Sequence, residues 1–310
     1  MFSIVIPLYN KSKSIAATIH SILSQSFTDF ELIIVDDGST DDSVQVVNRF
    51  TDKRIRLIQK KNGGVCSARN VGILHAQYDF IALIDADDYW DKDYLLEQTK
   101  MIADFPNATL WGINFAEVTD GNKLIRKLPT GLIEGYRGYV ENYFNMSDRI
   151  SDLFCSSSVV IRKDIFTTTG MFDERIKYSE DLDMWYRIIV NFPVAFYDRY
   201  MVFYQYDSEN RAMLRAKPLR FFLPYYCSKY IVYKSNITFY KFINRWSAIH
   251  IRNYYFNKPE ERADAKIAAS KLDYHYLPFK YRLMLKTPFW FGKLVYIITS
   301  FKQRLVKNSI

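Results

Sequence analysis

The stretch Phe80-Ile81-Ala82-Leu83-Ile84-Asp85-Ala86-Asp87-Asp88 constrains the fold of this 310-residue chain more than any other. Five apolar residues run into three carboxylates within four positions. The apolar part reads as a strand buried on both faces, the signature of a parallel sheet. The acids then fall at the strand's carboxyl end, where open α/β sheets place their ligands. Carboxylates this close repel one another, and a hard cation relieves that repulsion. Asp85 and Asp87 are spaced to meet one Mg²⁺ or Mn²⁺, with a substrate's phosphates completing the shell. A strand followed by an Asp-rich turn, with Asp87, Asp88 or Asp91 capping a helix, fits the same residues equally well. The stretch alone does not decide between the two.

Similar apolar runs precede it. Ser3-Ile4-Val5-Ile6-Pro7 predicts a first strand, ended by a proline that cannot donate to a ladder. Residues 31–35 and 54–59 predict two more strands. Apolar residues at helical spacing separate them, as at Ile15, Ile19, Ile22 and Leu23. Helices are also expected after residue 43 and over 65–74 and 94–105. This β-α alternation implies a mostly parallel sheet with right-handed crossovers. Beyond Pro106 the rhythm changes. Strands are expected over 108–118, 123–128, 157–162, 194–197 and 200–206, with a helix from Leu182. From about Lys217 the pattern is helical, aromatic and basic. The expected division is an α/β domain over 1–215 and a helical extension over 216–310.

Charge follows the same division. Residues 211–310 hold 20 Lys+Arg against 4 Asp+Glu, whereas 1–210 hold 22 against 30. A shift from −8 to +16 points to different tasks for the two segments. No apolar run reaches the ~20 residues that span a bilayer. The N-terminal residues lack the basic region and cleavage site of a signal peptide. Cys66, Cys155 and Cys227 are scattered, without metal-site spacing. A cytoplasmic location is expected.

Three further stretches carry chemistry. Asp36-Asp37 ends the 31–35 strand, so it faces the same crevice as Asp85 and Asp87. Asp37 can accept from a base N–H or a ribose hydroxyl. Gly38, Ser39 and Asp41 suit a turn and a helix cap as well. Asn62-Gly63-Gly64 opens a helix, and its N–H groups can meet phosphate. It lacks the GxGxxG and GxxxxGK[ST] patterns, which argues against NAD or ATP chemistry. Arg69 and Asn70 either face the crevice or are solvated. In Ser179-Glu180-Asp181-Leu182-Asp183 the acids can favour a helix N-terminus, with Ser179 or Asp181 as its cap, or one can act as a general base.

Taken in order, these stretches resemble the GT-A-fold glycosyltransferases of family 2. The resemblance rests on Ser3 to Asn10, Ile33 to Asp41, Asn62-Gly63-Gly64 with Ala68-Arg69-Asn70-Val71-Gly72, Asp85-Ala86-Asp87-Asp88, and Ser179-Glu180-Asp181. It covers about residues 1–207. It implies an inverting enzyme that transfers a sugar from a nucleotide diphosphate sugar to an acceptor hydroxyl. It also implies that Pro7 and Tyr9 line the nucleoside pocket and that Asp37 reads the base, usually uracil. Gly64 and Arg69 then lie near the nucleotide, and Asp85 near the ribose or metal. Asp87 binds Mn²⁺ or Mg²⁺, and Asp181 is the catalytic base, with Glu180 as the alternative. Many relatives carry a histidine after the last catalytic strand, and residues 202–211 here have none. Asp207 or water can fill that place, and Arg211 can steady the diphosphate. The implied acceptor is a glycan or lipid-linked saccharide in cell-surface polysaccharide assembly.

Residues 288–306 mix apolar and basic positions. They suit either an interfacial helix at the inner face of an anionic membrane or a core helix with a basic outer side. No nucleic-acid recognition motif accompanies the charge. A nucleotidyltransferase on sugar phosphates is an alternative, but it would want a basic N-terminal nucleotide loop rather than an isolated carboxylate at Asp181. A non-catalytic nucleotide-sugar-binding protein is another, but it would not require both Asp87 and Asp181.

Overall fold

A computed structural model describes residues 1–125, 128–129, 131–146, 153–210 and 217–307, with side chains as far as 299. The chain divides into two compact units, 1–215 and 216–310. The first opens with β1 (Phe2–Leu8), α1 (Ile15–Leu23), β2 (Phe30–Asp36), α2 (Ser43–Val47), β3 (Ile55–Gln59), α3 (Val65–His75) and β4 (Phe80–Leu83). It continues through β5 (Tyr89–Trp90), α4 (Tyr94–Asp104), β6 (Leu110–Thr119), β7 (Asn122–Leu124) and β8 (Arg137–Tyr139). β9 (Val159–Arg162), α5 (Ile165–Thr169), α6 (Glu180–Ile189) and β10 (Val194–Gln205) complete it.

Among the described residues, ten strands form one mixed sheet in the order β3-β2-β1-β4-β9-β6-β10-β5, with β7 beside β6 and β8 beside β10. β1 to β4 are parallel, as the alternation predicts. β9 then runs antiparallel to both β4 and β6. Ile4, Ile6, Leu32, Ile34 and Ala82 face one core with α1, α2 and α4. Val5, on the opposite face, meets α3. That approach is close, because a Cβ on Gly72 would lie 2.3 Å from Val5 Cγ1.

Two strand expectations change. Pro7 does not end β1, which continues to Leu8. The Val5 carbonyl accepts from Ile84 N, so Pro7 faces the same side, where pairing with β4 has already stopped at Val5. The missing donor therefore breaks no ladder bond. Residues 194–197 and 200–206 form one strand, β10, with an irregular register between Tyr197 and Val202. Part of the expected 123–128 strand, residues 126 and 127, lies outside the described residues.

The second unit is helical, with 3₁₀ segments over Leu219–Phe221 and Leu223–Tyr233. They precede α7 (Ile237–Asn257), α8 (Arg262–Ser270), α9 (Phe279–Lys286) and α10 (Phe289–Lys307). Asn236 caps α7, its side chain accepting from Phe239 N. Ala248, Ile251, Ala265, Ala268 and Met284 are in its core.

Gly72→Ala should destabilise the first unit by about 1–3 kcal/mol, since the new methyl must push Val5 aside. A thermal melt checks this, and an unchanged midpoint would refute close α3–β1 packing.

Candidate active site

The sheet order places β1 between β2 and β4. Chain direction along the sheet reverses there, so their carboxyl ends open on the topological switch point. Asp37 follows β2 and is 2% exposed. Its Oδ1 accepts from Lys60 Nζ at 2.6 Å and Gly63 N at 2.9 Å, and its Oδ2 from Gly64 N at 2.7 Å. Gly64 has φ +93°, a conformation glycine adopts readily. The glycine-rich loop thus directs both N–H groups at Asp37, not outward at a phosphate. Two carboxylate oxygens offer about four acceptor sites, and these three donors leave one on Oδ2.

The loops after β1 and β2 are joined. Asn10 N donates to Ser39 Oγ at 3.0 Å, and Thr40 N to Asn10 Oδ1 at 2.7 Å. Pro7 and Tyr9, half-buried, precede this junction.

Arg69 is 2% exposed and so is not solvated. Nη2 donates to Asp85 Oδ1 at 2.8 Å and Nη1 to Glu180 Oε1 at 3.0 Å. One guanidinium thereby brings together three of the predicted site residues. Asn70 fastens the loop before α6, exchanging hydrogen bonds of 2.9 Å with the Phe172 backbone. Ser179, which precedes α6, has φ +58° and makes no side-chain cap. Ser179 thus holds the expected cap position but without a side-chain hydrogen bond, and Asp181 lies inside the helix.

Glu180 and Asp181 differ in their partners. Burial, then the neighbouring Asp181, pushes Glu180 up to about 7, against the pull of Arg69. Burial also raises Asp181 above the ordinary aspartate range. Asp181 Oδ1 accepts from Leu182 N at 2.8 Å. It forms no ion pair among the described residues, whereas Glu180 pairs with Arg69.

Asp87 is paired with a residue that the sequence did not mark. Lys11 Nζ lies 2.6 Å from Asp87 Oδ2. Ser208 Oγ donates to the same oxygen. Asp88 does not begin a helix, because α4 starts only at Tyr94. It is 1% exposed and accepts from Ser157 Oγ and, at 3.0 Å, from Gln205 N. Burial first, then Asp87 and Asp85, raises it well above the carboxylate range.

Asp207, the expected substitute for the missing histidine, accepts from Asp120 N through its carboxylate. Arg211 lies outside the described residues. Among the described residues there is no group of three or more His, Cys, Asp or Glu that could hold a metal. Sequence reasoning missed Lys11, Lys60, Ser208 and Glu209. Their only signal was charge or polarity in loops, which spacing cannot assign.

Over 187 residues, 60% of this chain and 30% of the relative, the chain is 31% identical to an uncharacterized glycosyltransferase of Rickettsia felis. Over 106 residues, 33% of this chain and 18% of the relative, it is 34% identical to the poly(ribitol-phosphate) beta-N-acetylglucosaminyltransferase TarS of Staphylococcus aureus. The chain thus spans less than a third of the length of either relative. It superposes on the crystal structure of S. aureus TarS 1-349 in complex with UDP-GlcNAc with a TM-score of 0.78 at 22% identity, covering 97% of this chain and 91% of that one. At that identity the likeness bears on the fold, which is GT-A. The model for Glycosyl transferase family 2 matches residues 3–169, more than half of the chain. The chain belongs to glycosyltransferase family 2.

Proposed function

We propose that this chain is an inverting glycosyltransferase that moves a sugar from a UDP-sugar to a hydroxyl of a glycan or lipid-linked saccharide, in cell-surface polymer assembly. The Arg69 bridge carries the reading, because it ties the start of α6, with its candidate base, to the acidic end of β4. TarS, named as an N-acetylglucosaminyltransferase and solved with UDP-GlcNAc, supports a hexosyl or N-acetylhexosaminyl donor.

In this reading Pro7 and Tyr9 flank the nucleoside and Asp37 accepts from the base. Gly64 holds Asp37 in place, and Arg69 keeps Asp85 oriented toward the ribose. The oxygens around Lys11 Nζ come from Asp87, Ser208 and the Glu209 backbone. Carboxylate, hydroxyl and carbonyl oxygens suit a hard divalent cation, so the residues fit one. Asp87 would hold Mn²⁺ or Mg²⁺, with Asp85, 29% exposed, beside it. Bound there, the cation neutralises charge on the departing diphosphate. Asp181 takes the proton of the acceptor hydroxyl. One carboxylate acting on the acceptor gives a single displacement and inversion, whereas retention uses two carboxylates in succession.

The second unit is proposed to lie against an anionic membrane. α10 exposes Trp290, Leu294, Ile297 and Ile298 at 71, 50, 52 and 49%, recurring along one helical face. The strongly basic composition of 211–310 supports it. Among the described residues, no helix is long and apolar enough to cross a membrane.

A panel of nucleotide sugars with Mn²⁺ should include one UDP-sugar that raises the unfolding midpoint, because a ligand that binds the folded state stabilises it. If no member shifts the midpoint, the donor reading fails. Asp181→Asn should bind UDP normally yet lose about 10²–10⁴-fold in rate. Wild-type kcat/KM should fall as pH drops and Asp181 takes a proton. That limb should lie above the ~3.9 of an ordinary aspartate. Near-normal turnover by Asp181→Asn, with an inactive Glu180→Gln, would move the base to Glu180. The full chain should sediment with anionic vesicles at low salt, and no sedimentation would sink the membrane proposal.

A further inference from the structure

Lys11 Nζ lies 2.6 Å from Asp87 Oδ2 and 3.3 Å from Ser208 Oγ, and it donates to the Glu209 carbonyl. The side chain is 11% exposed. A carboxylate, a hydroxyl and a backbone carbonyl therefore surround one positive centre. That is the donor set of a hard cation. An ammonium is a compact charge on a flexible four-carbon stem, so it can fill such a cage and also leave it.

The cage is fastened by contacts that do not use this ammonium. The Glu209 carboxylate accepts from Lys13 N at 2.9 Å, from Ser14 N at 3.1 Å and from Ser14 Oγ, just before α1. Asn210 Nδ2 donates to the Tyr9 carbonyl at 3.2 Å. Ser208 Oγ donates to Asp87 directly. Withdrawing Lys11 would leave the oxygens gathered and the Asp87 charge unbalanced.

We propose that Lys11 is an internal stand-in for the divalent cation. Its ammonium occupies the cage in the nucleotide-free protein, and the arriving cation displaces it. Ser208 Oγ and the Glu209 carbonyl then remain as ligands beside Asp87. This accounts for the absence of a histidine from residues 202–211. The purpose of the site rests on the nucleotide-sugar reading, but the competition is a property of the protein alone. While Lys11 fills the cage, only a fraction of the molecules can take a metal, and the apparent affinity falls by that fraction. Donor phosphates, by completing the shell, would help the cation to win.

Mn²⁺ binding to the full chain, read from loss of the free ion's electron paramagnetic resonance signal, tests this without turnover. Lys11→Met keeps the bulk of the stem and removes the charge. It should bind Mn²⁺ alone about tenfold more tightly than the wild type. Lys11→Arg keeps a charge and should bind no more tightly than the wild type. In the Lys11→Met background, Ser208→Ala should weaken Mn²⁺ binding. If Lys11→Met does not fold, Lys11→Gln makes the same comparison. Unchanged or weaker Mn²⁺ binding by a folded, charge-free variant overturns the competition. No effect of Ser208→Ala overturns that ligand. UDP binding to the wild type separates the two ideas: its absence would sink the donor reading and leave the Mn²⁺ comparison standing.

Discussion

The buried guanidinium of Arg69 is the interaction on which the site depends. Removing it from water costs several kcal/mol, which only well-placed acceptors offset. Here two carboxylates do so, one 16 and the other 111 residues away in the sequence. Stranding such charges by deleting a partner costs about 3–5 kcal/mol. The turn after β4 and the start of α6 are therefore placed together. The Phe172 ring lies 5.4 Å from the guanidinium carbon, and Asn70, the next residue on α3, holds the Phe172 backbone. α3 carries Arg69 this deep because Gly72 lets it press against Val5.

The same logic organises the other strand-end acids. Asp37 meets Lys60, Asp85 meets Arg69 and Asp87 meets Lys11. Asp88 is bound by a hydroxyl and a backbone N–H instead, and it is the acid that burial and its neighbours push well up. Asp88 ties β4 to the Ser157 turn and to β10. Of the three acids in four positions, Asp85 and Asp87 are thus paired with cations of the fold and Asp88 with neutral donors.

How much of this could be read in the sequence depended on range. The parallel strands were legible because their apolar runs are local and continuous. The family motifs at Asp37, Asp85 and Asp181 were legible as a set, since each ends a strand or opens a helix. β5 and β8 were not, because strands of two and three residues leave no period to detect. Lys11 and Glu209 were not, because a pairing across 198 residues leaves no mark at either end. Pro7 misled for a physical reason: a proline ends a strand only where its missing donor faces a neighbour, and here that neighbour has stopped.

The first turn of α6 shows how packing separates chemically similar groups. Glu180, Asp181 and Asp183 all lie there, within the positive end of the helix dipole. Asp183 is fully buried and pairs with Arg187, which also donates to the carbonyls of Thr169, Gly170 and Met171. Glu180 is drawn to Arg69. Asp181 accepts from the Leu182 N–H of its own helix. Ser179, with a left-handed backbone that costs about 1–3 kcal/mol for such a residue, turns the chain into α6 without a side-chain cap. The two outer acids are neutralised by cations within the fold. Asp181, between them, forms no such ion pair among the described residues, and burial holds it above the ordinary aspartate range.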